Sequence, residues 1–246
     1  MYKELTKNDF LRGLKLPSTY TLDGVLTYGG WHIKSDVEIA RSLFEKFEEL
    51  DERMYAGIIN NKRVLFAISY GGSIASEFVH IGAILGAKIT IHTGSFGALK
   101  KGMKHNDLLI PDSCFPGDGS SNWYMRDEGS ISPSLEVNDW IERKLKGNGV
   151  NSYGGKLFTT SAMLGETWRD VMRWNKEGYS GVDLETATVF AVAKHFKIKS
   201  GAILHLSDNL IEKQTMFDLT DEQRMNRQEV KKLVMEIGLE AIVNFS

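Results

Sequence analysis

The stretch GVDLETATVFAVAKHFKIKSGAILHLSDNL, residues 181–210, contains two apolar segments that are each bounded by acidic residues. The first, from Ala187 to Ala193, is apolar almost all round, which is typical of a buried helix. The second, residues 201–207, is a short apolar run that predicts a strand ending beside Asp208. A buried helix followed by a buried strand indicates an α/β fold.

The rest of the chain repeats this alternation. Four more apolar runs predict strands: GVLTY (24–28), RVLFAIS (63–69), KITIHT (88–93) and KLFTT (156–160). Helical periodicity predicts helices at SDVEIARSLFEKFEEL (35–50), ASEFVHIGAIL (75–85) and DWIERKL (139–145). Strands that alternate with helices predict a layered fold with a largely parallel sheet.

The last predicted helix begins at Thr220. Gln223 completes a capping-box pattern with Thr220, and an apolar stripe follows from Val230 onward. The stripe predicts that this helix packs against the sheet. Its first turn carries Arg224, a charged residue near the start of a packed helix.

Composition favours a protein that binds small molecules. The chain has 246 residues, of which 42% are hydrophobic and 25% charged, and we interpret residues 1–246 as a single domain. Its 30 basic and 32 acidic residues are mixed along the chain and leave a net charge of -2, so no nucleic-acid partner is expected.

Two further features restrict where the protein acts and what it contains. The first residues are polar and charged, and no apolar run reaches the roughly 20 residues of a membrane span, so a cytoplasmic protein without membrane contact is expected. Cys114 is the only cysteine, which excludes an internal disulfide or a cysteine-based metal cluster within one chain. A structural role is expected for Cys114, and no metal site is predicted.

Three predicted strands run into glycine-bearing segments: YGG at 28–30, YGG at 70–72 and TGSFG at 93–97. None matches the dinucleotide or P-loop fingerprint. They are either tight connections or turns whose free amide groups bind an anion. Because the ends of parallel strands share one edge of a sheet, we predict a phosphate or sugar-phosphate site there.

Two pairs of polar residues carry alternative interpretations. Asp183 and Glu185 open the predicted buried helix, residues 180–196, where they either complement its dipole in the first turn or bind the hydroxyl groups of a ligand. Ser207 and Asp208 either cap the segment that begins at Asn209 or place a general acid at the edge of the sheet. Residues alone leave both pairs open.

Together, the segments YGG, YGGSIAS, HTGSFGALKKGMKHNDLLIP and residues 181–210 resemble the nucleoside phosphorylase superfamily, which includes hexameric purine nucleoside phosphorylases, uridine phosphorylases and related nucleosidases. The resemblance runs from about residue 24 to the end of the chain. It implies a three-layer α/β/α sandwich with a twisted mixed sheet that is in part closed like a barrel. It also implies phosphorolysis of a nucleoside to a free base and ribose 1-phosphate.

The resemblance assigns roles to five residues around the sugar and the base. Glu185 resembles the glutamate that binds the ribose 2'- and 3'-hydroxyls, Leu184 replaces a methionine that packs on the sugar, and Asp183 takes the place of another acid of that motif. Asp208 resembles the aspartate that protonates N7 of a purine, and Ser207 precedes it as in purine-specific members. The chemistry agrees, because negative charge develops on the departing base.

Further positions follow from the same resemblance. Arg224 resembles an arginine that assists this aspartate, and Met163, in TTSAML, lies where a side chain walls the base. Gly29, Gly94 and Ser95 resemble positions of the phosphate site.

The phosphate site departs from the family pattern. His92 stands where an arginine is usual, and Lys34 follows Ile33 where another arginine is expected. Neither offers the bidentate fork of a guanidinium, and histidine must be protonated to add charge. Arg53 lies near the place from which some members lend an arginine to a neighbouring subunit. No histidine occurs in the first 31 residues, where hexameric members supply one for a neighbour's ribose 5'-hydroxyl.

The resemblance as a whole predicts phosphorolysis of a purine nucleoside, with phosphate as co-substrate and no cofactor. It also implies a dimer-based homo-oligomer, a hexamer in the family. The alternatives are a phosphate-independent nucleosidase acting on methylthioadenosine-like nucleosides, a uridine phosphorylase, and a non-catalytic nucleoside-binding protein. Pyrimidine use stays open because DGSS in the loop 115–130 resembles uridine phosphorylases, and Glu166 and Arg169 partly match their uracil-reading residues. That loop is expected to contact either ligand or a second subunit.

Overall fold

The computed structural model of the protein describes residues 2–126 and 129–246. Within these ranges nine strands are formed: β1 (Gly24–Gly29), β2 (Lys46–Asp51), β3 (Met54–Ile59), β4 (Lys62–Ser69), β5 (Ile89–Ala98), β6 (Leu108–Pro116), β7 (Ser152–Thr159), β8 (Gly181–Asp183) and β9 (Lys199–Asn209). The same ranges form seven α-helices: α1 (Lys7–Gly13), α2 (Ile33–Arg41), α3 (Gly72–Ile84), α4 (Leu135–Gly147), α5 (Trp168–Lys176), α6 (Thr186–Phe196) and α7 (Asp221–Phe245).

All nine strands belong to one sheet, in the order β2-β3-β4-β1-β5-β8-β7-β6-β9. Strand β9 also pairs with β5, so β5, β8, β7, β6 and β9 close into a ring. The pairing is parallel for β1 with β4 and β5, and antiparallel for β2 with β3 and β6 with β9. The mixed, partly barrel-like sheet implied by the family resemblance is confirmed.

Helices cover both faces of this sheet. Val25 and Leu65 pack on one face in a core shared with α3 and α6, while their neighbours Leu26 and Phe66 pack on the other in a core shared with α2, α4 and α7. Because both faces are buried, the central strands are apolar at consecutive positions. The expected α/β/α sandwich is confirmed. In the described part of the chain, no helix combines the length and the apolar character that crossing a membrane requires.

The helix predicted over residues 35–50 is wrong in its second half. Helix α2 ends at Arg41, and the following residues form β2, which pairs antiparallel with β3. Phe47 stacks on Tyr55 with ring centroids 5.1 Å apart, and Phe44 lies over Gly57, where a methyl group would be 2.2 Å from the phenylalanine ring. Cross-strand aromatic packing thus outweighs the helical periodicity of this segment.

The predicted glycine turn at residues 93–97 is not a turn. Strand β5 continues through it to Ala98, with β1 on one side and β9 on the other. A methyl group on Gly94 would come 3.1 Å from the Gly29 amide nitrogen. Gly94 therefore permits close strand packing. The other two segments are strand ends as predicted: Gly29 closes β1, and Gly71 follows β4 with a φ of 93°.

The start of the buried helix also differs from the sequence pattern. Residues Gly181–Asp183 form the short strand β8, and α6 begins only at Thr186. The final helix follows the prediction, since the Thr220 side chain accepts a hydrogen bond from the amide of Gln223 at the start of α7. Strand β9 extends two residues beyond Ser207, so Asp208 is still part of the strand.

Candidate active site

A cavity of about 540 Å³ opens where β1, β5, β8 and β9 end. Backbone and side chains of these strands meet there with the first turns of α7 and with the segments before α5 and α7. Nine residues singled out from the sequence line it: Gly29, Ser95, Met163, Asp183, Leu184, Glu185, Ser207, Asp208 and Arg224. The fold therefore brings the acids before α6 and the acid of β9 into one cavity.

Glu185 occupies the position immediately before α6 and is 4% exposed. Its Oε1 accepts a hydrogen bond of 2.6 Å from the amide of Gly71, at the end of β4. Burial, followed by the charge of Asp183, raises the pKa of the Glu185 carboxyl to about 8. A carboxyl group that keeps its proton at neutral pH can both donate to and accept from the hydroxyl groups of a ligand.

Asp183, at the end of β8, holds the start of α6. Its Oδ1 accepts a 2.6 Å bond from Thr159 Oγ1, and its Oδ2 accepts bonds from the amide and the hydroxyl of Thr186. The amide of Glu185 also donates to Oδ2, at 3.3 Å. Burial raises the pKa of Asp183 despite these donors. Asp183 thus acts as a helix cap that positions Glu185.

His92 lies behind the cavity wall instead of lining it. Its Nδ1 is 2.9 Å from Thr27 Oγ1, while its Nε2 lies 3.8 Å from Glu185 Oε2 and 4.0 Å from Asp183 Oδ2. The ring is fully buried, and burial lowers its pKa to about 3, so it is neutral at physiological pH. The structure therefore corrects the prediction for His92: it brings no positive charge to bind phosphate.

Two other predicted phosphate residues also lie away from this cavity. Lys34 is exposed on α2, and Arg53 lies in the turn between β2 and β3 with a φ of 63°. Gly94 is enclosed between strands, as described above. Of the predicted phosphate residues that the structure describes, only Gly29 and Ser95 line the cavity.

Asp208 lies on β9, which pairs with the end of β5 across from β8, the strand that leads to Glu185, and it is half-buried. Its Oδ1 accepts a 2.7 Å bond from the amide of Met216, and its Oδ2 accepts a bond from the hydroxyl of Ser207. Neither side chain caps Asn209. The alternative interpretation of Ser207 and Asp208 as a cap is therefore wrong, and both face the cavity.

The arginine bonded next to Asp208 is Arg227, which the sequence did not single out. Its Nη2 donates to the carbonyl of Ser207 at 3.2 Å, and it is half-buried, whereas Arg224 is exposed at the cavity edge. Lys231 follows on the same face of α7 and forms a buried 2.7 Å ion pair with Asp36 of α2. The signal for these residues was available: charges spaced three and four apart interrupt the apolar side of a packed helix.

Two buried polar groups complete this side of the cavity. The Tyr28 hydroxyl lies 3.2 Å from His205 Nε2, and both residues line the cavity. Burial lowers the pKa of His205 to about 3, so it is also neutral. Sequence reasoning missed this pair because Tyr28 and His205 lie on strands that are adjacent only through β5.

Glu166 is a second carboxyl group beside Asp208. It lines the cavity between the short turn at residues 163–165 and α5. Burial, followed by the charges of Asp208 and Asp170, raises its pKa to about 7. Arg169, which the sequence paired with Glu166 as a partial match, is exposed and does not line the cavity.

The loop 115–130 has no contact with the cavity in its described part. Asp118 turns inward, where its carboxylate accepts bonds from Ser121 and from Thr188 of α6. Asp127 and Glu128 of this loop lie outside the described residues. Cys114, at the start of the loop, is buried, and burial raises its pKa, in agreement with a structural role.

Three side chains in and behind the cavity wall are of types that bind metal ions. Ligand atoms of His92, Asp183 and Glu185 lie within 4.8 Å of one another. The Asp183 oxygens are already occupied by four donors, so an ion there would have to displace the bonds that cap α6. The described residues thus form a hydrogen-bonded cluster in this place and fit a metal ion poorly.

Known proteins were compared with the chain. A guanosine phosphorylase of Halorubrum lacusprofundi is 24% identical over 127 residues, which are 52% of this chain and 53% of that protein, so the match spans about half of its length. A DeoD-type purine nucleoside phosphorylase of Vibrio cholerae is 24% identical over 195 residues, 77% of each chain. The crystal structure of uridine phosphorylase from Vibrio fischeri superimposes with a TM-score of 0.78, at 19% identity, and covers 94% of this chain and 95% of its own.

The fold likeness extends over nearly the whole chain, and the sequence likeness covers most of the elements that form the cavity. A sequence profile of the phosphorylase superfamily matches residues 33–242, which include β4, β5, α6, β9 and all but the last residues of α7, whereas β1 precedes the matched range. The protein belongs to the phosphorylase superfamily, whose nucleoside phosphorylases share its α/β/α fold.

Proposed function

We propose that the protein cleaves the N-glycosidic bond of a purine nucleoside, with phosphate as co-substrate, and releases the base and ribose 1-phosphate. The observation that carries this proposal is that Glu185, which follows β8, and Asp208 of β9 line one cavity, with the end of β5 between their strands. Glycosidic cleavage builds positive charge on the sugar and negative charge on the base, so it needs polar groups at both ends of the bond.

In this proposal Glu185 binds the ribose hydroxyls and Leu184 packs on the sugar. Asp208 and Ser207 contact the purine ring, and Met163 contributes to the wall of the base pocket. Gly29 and Ser95 face the attacking phosphate. A homo-oligomer is part of the proposal: Arg53 lies in a hairpin turn outside its own chain's cavity, where it is free to serve a second copy.

The test is a phosphate-dependence assay. Purified protein is incubated with inosine, adenosine, uridine and methylthioadenosine, each with and without phosphate, and free base and ribose 1-phosphate are measured. Release of purine that requires phosphate and yields ribose 1-phosphate supports the proposal. Cleavage of uridine alone would contradict the purine assignment.

Hydrolysis is the second candidate, and the neutral state of His92 favours it. A phosphate dianion is best held by guanidinium groups, whereas a water molecule needs only hydrogen-bond partners. The buried, uncharged His92 supplies no charge at the position where the family has an arginine. Base release at an equal rate with and without phosphate, together with free ribose as product, would establish hydrolysis.

A further inference from the structure

The cavity holds two carboxyl groups near each other whose surroundings differ. Asp208 extends from β9, and Glu166 extends from the segment that joins the turn at residues 163–165 to α5. Both line the cavity. A leaving purine takes up a proton, and a carboxyl group whose oxygens are available to the base can supply it.

The oxygens of Asp208 are engaged by the protein itself. Both accept hydrogen bonds, from the Met216 amide and from the Ser207 hydroxyl. The carboxyl group of Glu166 has no hydrogen bond and no ion pair with any residue in the described ranges 2–126 and 129–246. Its oxygens are therefore available to a ligand.

The charges around Glu166 favour its neutral form. Asp208 of β9 and Asp170 of α5 are the charged groups that act on it, and both are acidic. On the α7 side of the cavity, the Arg227 guanidinium is engaged with the Ser207 carbonyl, and Lys231 is paired with Asp36. The two arginines of α7 line the same cavity without forming an ion pair with Glu166 in the described chain. Burial and these acids together raise the pKa of Glu166 to about 7.

We propose that Glu166 is a catalytic residue of this site, and that its carboxyl group, which no described residue engages, supplies the proton that the purine takes up as the glycosidic bond breaks. The inference rests on the proposed cleavage of a purine nucleoside and adds to it the source of the proton. It holds with either phosphate or water as the nucleophile.

The step balances without any further reactant. The bond between C1' of the ribose and N9 of the purine breaks, and its electron pair passes into the purine ring. The proton of the Glu166 carboxyl moves to a ring nitrogen of the purine, and an oxygen of the nucleophile bonds to C1'. When the nucleophile is water, the proton that it loses passes to solvent. Glu166 is left as a carboxylate and regains a proton from solvent after the base departs.

The test compares two nucleosides that differ in their need for a proton. Inosine leaves as an anion unless it is protonated, whereas 7-methylinosine carries its positive charge already and leaves as a neutral base. In Glu166→Gln, kcat/KM for inosine is expected to fall by about 100-fold or more, while kcat/KM for 7-methylinosine stays within about threefold of the wild type. The matched control Glu177→Gln, an exposed carboxyl at the end of α5, is expected to leave both unchanged.

The pH dependence separates Glu166 from Asp208. The wild-type kcat/KM for inosine is expected to fall as the pH rises above about 7, because Glu166 then loses its proton. This fall is expected to be absent in Glu166→Gln. In Asp208→Asn the fall in kcat/KM is expected to remain but to begin at a lower pH, because a charge that raises the pKa of Glu166 has been removed.

Three results would overturn the inference while leaving the proposed function intact: unchanged inosine cleavage in Glu166→Gln, an equal loss for both nucleosides, or a pH-dependent fall that vanishes in Asp208→Asn and persists in Glu166→Gln. A wild-type protein that cleaves neither nucleoside, with or without phosphate, would instead overturn the proposed function. Thermal unfolding of each variant identifies any loss that is due to misfolding.

Discussion

The two sides of the cavity are built differently. On the α6 side, Asp183, Glu185 and His92 are at most 5% exposed and are tied to neighbouring strands by short hydrogen bonds. On the α7 side, Asp208 and Glu166 are half-buried. Asp208 accepts a bond from Met216 in the segment between β9 and α7, and Glu166 lies in the segment before α5. We call Asp183 and Glu185, with His92 behind them, the sugar wall, and Asp208, Glu166, Arg227 and His205 the base wall.

The difference teaches which part of the site is rigid and which is adjustable. Every member of the sugar wall comes from a strand or from the residue that starts α6, so its geometry follows from the sheet itself. The base wall depends on the turn at residues 163–165 and on the loop between β9 and α7, whose lengths can vary without disturbing the sheet. Four predictions test this contrast, from the largest expected effect to the smallest.

Loss of the sugar-binding carboxyl has the largest expected effect. Glu185→Ala is expected to lower kcat/KM for inosine by about 1,000-fold, equivalent to about 4 kcal/mol, because a buried group that binds the ribose hydroxyls is removed. The measurement compares inosine with 2',3'-dideoxyinosine. The wild type is expected to prefer inosine and the variant to treat the two alike. A variant that still distinguishes them would show that Glu185 does not read the hydroxyls.

Stability is expected to depend on the sugar wall more than on the base wall. Asp183→Ala is expected to reduce the free energy of unfolding by about 3 kcal/mol, since it leaves buried donors on Thr159 and Thr186 without an acceptor. Asp208→Ala is expected to reduce the free energy of unfolding by about 1 kcal/mol, because Asp208 is half-buried and water can replace its carboxylate as the acceptor. Urea unfolding of both variants measures the difference, and equal losses would contradict the contrast between the walls.

Acid is expected to destabilise both walls through their neutral histidines. His92 and His205 have a pKa of about 3 in the folded protein and an ordinary value of about 6.5 when unfolded. Between these values the unfolded chain binds more protons, so stability falls as the pH decreases below about 6.5.

Each histidine is expected to cost about 2 kcal/mol between pH 7 and pH 5. Urea unfolding at both pH values is the measurement, and His92→Asn is expected to remove about half of the fall that the two histidines cause. An unchanged fall in this variant would show that His92 is already protonated or accessible in the folded protein.

The smallest expected effect distinguishes Arg227 of the base wall from Arg224, which precedes it on α7. Arg227→Gln is expected to lower kcat/KM about tenfold, because its guanidinium holds the Ser207 carbonyl next to Asp208. Arg224→Gln, on an exposed residue of the same helix, is expected to change it by less than about twofold. The reverse order would return the supporting role to Arg224, as the sequence resemblance suggested.

Sequence patterns predicted the regular parts of the fold well because those parts are buried on both faces. Strands β1, β4, β5, β7 and β9 each contain a predicted apolar run, and the capping box at Thr220 marks the start of α7. The hairpin of β2 and β3 escaped prediction because its first strand continues the helical spacing of α2. Only the aromatic contacts with β3 decide between the two structures.

The residues of the site also divide into those that the sequence singled out and those whose contacts needed the structure. The sequence singled out Glu185 and Asp208 by their places beside apolar segments and by the family resemblance, and the structure brings both into the cavity. The charges of Arg227 and Lys231 are visible at helical spacing in the sequence, but their partners, the Ser207 carbonyl and Asp36, depend on contacts between distant elements. The charge of His92 could not be predicted either, since a pKa depends on burial.

The sequence by itself determined the alternation of strands and helices, the acids at the ends of two apolar segments and the resemblance to the phosphorylase superfamily, because these depend on neighbours along the chain. Only the folded structure shows that TGSFG continues a strand, that His92 is neutral, and that no described residue pairs with the Glu166 carboxyl beside Asp208. The physical reason is that solvation and charge at a site are set by groups far apart in sequence, and they exist only after the sheet has closed.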